Sequence, residues 1–214
     1  MKHLNQYKNE SFNFKSLTSY KTESFNFKSL PLYITEYIIK KKLDNPIDSE
    51  DHYDYFPETK EELIENIKEC FNNEDYNLNC INTSKITDMS NLFKYIDLYN
   101  INFDVSKWDV SNVENTSFMF TGFVKFDCDL SNWDVSKVKN MNYMFYNCEN
   151  FDCDLSKWDV SNVLNMICMF GNCKNFKGIG LDNWNVSKVK HMQNMLNGCK
   201  SIIKKPKWYR FKIK

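Results

Sequence analysis

Eight cysteines, a recurring pair of aspartates and a lysine-rich end are the residues of this 214-residue chain that could define a chemical site. Cys148, Cys173 and Cys199 fall at one matching place in a repeated text, and Cys128 and Cys153 at another. Aligned thiolates would suit zinc, which takes sulfur ligands in tetrahedral sets. The other copies argue against it. Ile96 and Phe123 share the first place, and Tyr76, Phe103 and Ile179 the second. A position that exchanges Cys with Ile, Phe and Tyr asks for apolar volume, and a free thiol supplies it. There is no Cys-x-x-Cys, and His3, His52 and His191 stand apart from any cluster. Core packing is therefore expected of these thiols ahead of disulfide pairing or metal ligation, in a reducing compartment, with no metal and no cofactor.

The aspartates come next. In Phe126-Asp-Cys-Asp-Leu130 the apolar residues alternate with Asp127 and Asp129, the period of a half-buried strand. Asp152 and Asp154 repeat the pair, and Asn102 with Asp104 and Asp75 with Asn77 precede it; Gly178 and Gly180 follow. Neighbouring strands lie about 4.8 Å apart, so like charges facing one another are a cost. Three explanations fit such columns: a solvated anti-aggregation face, a docking surface for a basic partner, or a ladder for divalent cations. Asp104, Asp127, Asp129, Asp152 and Asp154 are accordingly the candidate binding residues. The run Lys200–Lys214 holds seven basic residues and no acidic one. It has two readings, protection of an open edge and contact with an anionic surface; the first is preferred because Trp208 is in register with the repeat.

Catalysis finds no foothold. The chain has no phosphate loop, no Gly-x-Gly-x-x-Gly, no His-Glu-x-x-His and no Gly-x-Ser-x-Gly. Its Ser, Asp and Asn residues recur in every copy, whereas an active site is singular. Asp109, Asp134, Asp159 and Asn185, each following a Trp, are expected to build Asx turns. Lys+Arg and Asp+Glu both number 28, so no net field draws the chain to nucleic acid or membrane. Arg210 is the sole arginine and alanine is absent, a skew that points to an AT-rich genome rather than to an activity. No stretch reaches the roughly 18 apolar residues of a membrane helix, and the first residues lack the apolar core of a secretory signal.

The elements that position these residues follow from the repeat. Trp108, Trp133, Trp158, Trp184 and Trp208 are spaced by 25, 25, 26 and 24 residues. A degenerate earlier copy has Ile81 in the Trp place. Within a copy, Met141, Met144, Phe145 and Cys148 follow the i, i+3, i+4, i+7 pattern of a short helix, with Asn140 placed to cap it. Asp88, Asn115 and Asn165 hold the same place, and His191 breaks the column. One strand and one short helix per copy cannot close a core alone, but several stacked copies can. Upstream, Thr59 and Glu62 form a capping box ahead of the stripe Leu63, Ile67, Cys70 and Phe71, which predicts an amphipathic helix over 58–73. A separate duplication, Glu10–Leu17 and Glu23–Leu30, marks the N-terminus.

The phrase Leu-Ser-x-Trp-Asp-Val-Ser-x-Val-x-Asn-Met-x-x-Met-Phe-x-x-Cys resembles the repeat of the BspA-like leucine-rich-repeat surface protein family. Residues 56–93 resemble that family's N-terminal cap and first repeat. The resemblance implies a short right-handed leucine-rich-repeat-like solenoid, an α/β repeat with one short strand and one short helix per turn, and adhesion or protein binding as the role. The expected organisation is an arm at 1–35, an acidic loop at 36–56, a capping helix at 57–75, the solenoid at 76–208 and a basic tail at 209–214. The expected function is a non-enzymatic module binding another protein with a basic patch through the acidic face. The alternative is a structural or adhesive component of a cell surface or of a virus or phage particle. The expected compartment is intracellular, with a surface or virion reached by a non-standard route as the other option. Nucleic acid and membrane are not expected partners.

Overall fold

The computed structural model describes residues 53–96 and 99–209. The chain divides into two units, Met1–Asn45 and Pro46–Lys214, and every described residue belongs to the second. The duplicated arm, most of the 36–56 loop and residues 210–214 lie outside the described residues.

Helix α1 spans Lys60–Asn72, close to the bounds its capping box and stripe predict. Thr59 Oγ1 accepts the amide of Glu62 at 3.2 Å. The Glu62 carboxylate reaches back to the amide of Glu58, one residue before the cap, at 2.7 Å. Leu63, Ile67, Cys70 and Phe71 are buried, and Phe71 meets Phe103 edge-on at 5.6 Å. Lys60 Nζ lies 3.0 Å from Asp88 Oδ2 and 2.9 Å from Ser90 Oγ, which ties the helix to the first copy.

Beyond α1 the local structure departs from expectation. The strand and helix anticipated in each copy are absent among the described residues, replaced by successive turns, isolated parallel bridges and two 3₁₀ turns at Leu78–Cys80 and Leu181–Asn183. The reason lies in the backbone. Tyr143 (φ 57°) and Asn147 (φ 62°) are left-handed, and two such residues four apart prevent an α-helix over 141–148. Amides therefore alternate. Met144, Tyr146 and Cys148 donate back three residues within the copy, to Met141, Tyr143 and Phe145. Met141, Tyr143, Phe145 and Asn147 donate across to the carbonyls of Asn165, Ile167, Met169 and Gly171, at 2.8–2.9 Å. Thr116, Phe118, Phe120 and Gly122 do the same one copy earlier, and Met166, Cys168, Phe170 and Asn172 one copy later. Parallel bridges thread the same column, Asp88 to Asn115 to Asn140 to Asn165 to His191.

The periodic apolar residues still find the core, because each loses its surface to the copy above and below. Phe93, Phe120, Phe145 and Phe170 stack at 5.4, 5.5 and 5.5 Å. Phe103, Phe126, Phe151 and Phe176 run beside them, with Phe145 only 4.2 Å from Phe151. Each Trp indole is anchored to the preceding copy. Trp108, Trp133, Trp158, Trp184 and Trp208 donate Nε1–H to the carbonyls of Leu78, Val105, Leu130, Leu155 and Leu181, at 2.7–3.1 Å. Trp208 is half-buried and Tyr209 buried, so the start of the basic end serves the stack as its sixth side-chain layer.

Phe145 is fully buried among five other rings, so Phe145→Ala should cost about 3–5 kcal/mol of unfolding free energy in urea titrations. A loss under about 1 kcal/mol would contradict the stacked aromatic core.

Candidate functional site

The candidate aspartates come to one side of the array, where each copy passes from Phe126 to Trp133. Two adjoining grooves lie there. One, of about 410 Å³, is lined by Asp127, Asp129, Asp152, Asp154 and Lys157, with Cys128 and Cys153 at its floor. The other, of about 500 Å³, is lined by Asn77, Asn102, Asp104, Asp127 and Asp129. They share Asp127, Cys128 and Asp129, so all five candidate carboxylates border one trough.

Local sequence explains most of these side chains before any partner is invoked. Asp104, Asp129 and Asp154 each precede a serine by two residues, and each Oδ1 accepts that serine's amide, from Ser106, Ser131 and Ser156 at 2.8–2.9 Å. These are Asx turns, the same device that Asp109, Asp134, Asp159 and Asn185 use after each Trp. The Asn140 column does likewise; Asp88, Asn115, Asn140 and Asn165 accept amides two residues on, capping turns rather than helices. Asp152 is committed differently. Its Oδ1 accepts the amide of Lys177 at 3.0 Å, and its carboxylate pairs with the Lys177 ammonium. Asp127 is the exception. Its amide donates to Asn102 Oδ1 at 3.1 Å, while its exposed carboxylate accepts no hydrogen bond from the described residues.

The like-charge cost inferred from sequence is thus partly met by local partners. The amide and hydroxyl of Ser131 hold Asp129 below the usual carboxylate range, and the hydroxyl and amide of Ser156 do so for Asp154. At Asp104 burial pushes the other way and is outweighed by hydrogen bonds, chiefly from the Ser106 amide. The acidic columns end at Gly180. Its φ is +89°, and a Cβ there would lie 2.2 Å from the Ser156 amide nitrogen.

The cysteines carry more than volume. Cys128 Sγ accepts the amide of Val105 at 3.5 Å and donates to Asp104; Cys153 treats Leu130 and Asp129 the same way. Burial pushes both thiols up to about 12. Cys148 and Cys173 are fully buried and donate to the carbonyls of Phe120 and Phe145 at 2.9 Å. Cys199 donates to Phe170 but is only half-buried, since it belongs to the last full copy. A second feature escaped the sequence reading: Phe118 and Tyr143, both left-handed, stack at 4.7 Å with partly exposed rings. Aromatic residues are poor markers of positive φ, so only the register with Asn91 and Asn194, which hold the same backbone state, could have shown it.

Copy after copy of the same turn, bonded in register, defines a repeat protein. The chain belongs to the family described as "Mycoplasma protein of unknown function, DUF285", whose model matches residues 61–180 and again 87–209. The two matches start 26 residues apart, one repeat. The match is compatible with the BspA-like resemblance of the repeat text. No curated protein and no solved structure matches the chain. No helix among the described residues is long and apolar enough to cross a membrane.

Asp88, Asp104, Asp129, Asp134 and Asp154 all have lowered pKa values in the folded chain, so their contribution is present above about pH 4 and lost as pH falls through the depressed values. Glu69, raised by burial, opposes them. The thermal midpoint should therefore fall steadily below about pH 4. A midpoint that holds or rises on acidification to pH 3 would show that the Asx carboxylates do not hold the turns.

Proposed function

We propose that the chain is a non-enzymatic protein-interaction module, a short right-handed solenoid of the leucine-rich-repeat type that binds a partner bearing a basic patch along its acidic trough. The observation that carries this reading is the alignment of five carboxylates along one continuous groove, with the Asp127 carboxylate at its centre accepting no hydrogen bond from the described residues. Asx turns account for Asp104, Asp129 and Asp154 as structure; asparagine serves that turn equally well at Asn82 and Asn185. Retaining charge where a neutral residue suffices supports a role for the negative potential itself. The absence of a singular constellation in the sequence supports a binding rather than a catalytic role, since its Ser, Asp and Asn residues recur as turn formers.

Such a surface acts on encounter more than on residence, because the field of clustered carboxylates steers a basic partner over a Debye length of about 8–10 Å. Replacing Asp127, Asp129, Asp152 and Asp154 by Asn should preserve the fold, since amide oxygens can still accept the Ser131 and Ser156 amides. Affinity capture from the native cell, followed by binding kinetics on the captured partner, should show a slower association rate and a flatter salt dependence for this variant. Asp127→Asn alone should give a larger share of that loss than Asp104→Asn. Unchanged partners with unchanged salt dependence would overturn the reading and leave the trough a solvated face.

A further inference from the structure

Of the cysteines described, Cys70 and Cys80 form the one pair whose sulfurs hydrogen-bond to each other. Their Sγ atoms lie 4.0 Å apart, and both thiols are free. The other six thiols are differently engaged: Cys148, Cys173 and Cys199 point at carbonyls of the preceding copy, Cys128 and Cys153 at aspartates, and Cys168 hydrogen-bonds with Tyr143. The pair joins two distinct elements. Cys70 sits in the last turn of α1, and Cys80 ends the 3₁₀ turn that opens the first copy. A third segment meets them, because the Cys80 carbonyl accepts the amides of Asp54 and Tyr55 at 2.7 and 3.2 Å, beside the Tyr55–Ile81 bridge. Cys70 is buried, whereas Cys80 is half-buried and open to a reagent.

We propose that Cys70 and Cys80 form a reversible redox staple, closing to a disulfide that locks α1 and the segment at 53–56 onto the first copy. The sulfurs need to approach by about 2 Å to reach bonding distance. The oxidant is a low-molecular-weight disulfide of the glutathione class. The Cys80 thiolate attacks one of its sulfurs, forming a mixed disulfide at Cys80 and releasing one thiol. The Cys70 thiolate then attacks Cys80 Sγ, forming the Cys70–Cys80 bond and releasing the second thiol. Two protein thiols are oxidised, one external disulfide is reduced to two thiols, and the two protons end on those. The hydrogen bond with Cys80 raises the Cys70 pKa and burial adds to it; burial persists once Cys80 is in the mixed disulfide, which makes the second step the slow one. Cap and array are thereby coupled to the redox state of the surroundings, independently of the acidic trough.

The test equilibrates the folded full-length chain in graded mixtures of reduced and oxidised glutathione, followed by acid quenching, alkylation and peptide mapping by mass spectrometry. A Cys70–Cys80 cross-linked peptide should accumulate in native buffer before any bond involving Cys128, Cys148, Cys153 or Cys173. It should raise the thermal midpoint by roughly 5–10 °C, as expected for closing an eleven-residue loop, and dithiothreitol should reverse it. Cys80→Ser, a conservative change at a half-buried site, should abolish both effects, while Cys128→Ser leaves them intact. Accumulation of a glutathione adduct at Cys80 without the cross-link would overturn the proposal. So would a cross-link that forms only in denaturant, or one that leaves the midpoint unmoved.

Discussion

Everything in the array depends on one alternation: successive amides point by turns back into their own copy and across to the next. Met141, Tyr143, Phe145 and Asn147 cross, while Met144, Tyr146 and Cys148 return. Each backbone bond contributes about 0.5–1.5 kcal/mol net, and left unmade in a buried setting each group would cost more. Three successive interfaces carry four crossing bonds each from this segment alone. They dictate in-register stacking of this segment, and differences in copy length fall outside it. Register then places Phe on Phe, Trp on Trp and thiol beneath carbonyl without further instruction.

The alternation has a conformational cost, borne at one position in the first copy and at two in each later one. Asn91, Phe118, Tyr143, Cys168 and Asn194 occupy one left-handed column; Gly122, Asn147, Asn172 and Gly198 occupy the next. The second column uses residues that tolerate positive φ. The first tolerates bulky Phe118 and Tyr143, whose parallel rings and exposed position offset part of the strain. Side chains pointing outward are bound by the same register. Lys137 reaches Asn112, Lys188 reaches Asn162 and Lys139 reaches Glu114, so even the exposed columns link copy to copy.

The sequence made much of this readable and obscured a particular part. Trp spacing gave the repeat, and the stripe Leu63, Ile67, Cys70 and Phe71 gave α1, because both rest on which residues leave water. The period i, i+3, i+4, i+7 over Met141–Cys148 predicts a helix that the structure lacks, because it reports which side chains face inward and not how the backbone turns. A chain of tight turns with left-handed residues at 143 and 147 presents the same face as a helix would. The aspartates were legible as a column, but their partners were not: Asp129 and Asp154 serve turns two residues away, and Asp152 serves Lys177 one copy away. Likewise, exchange of Cys with Phe and Ile identified an apolar site. It could not show that the thiol, once there, bonds to Phe120, Phe145 or Phe170.

Native-state hydrogen exchange tests the alternation most directly, because it reads single amides. The crossing amides of the central copies, Thr116 through Gly122 and Met141 through Asn147 at alternate residues, should exchange slowest and at closely similar rates, as one cooperative block. The corresponding amides of Asn194 and Gly198, which donate to no described residue, should exchange orders of magnitude faster. Comparable, rapid exchange at Tyr143 and Asn194 would contradict the account, since it would mean that copies fold without the bonds that set their register.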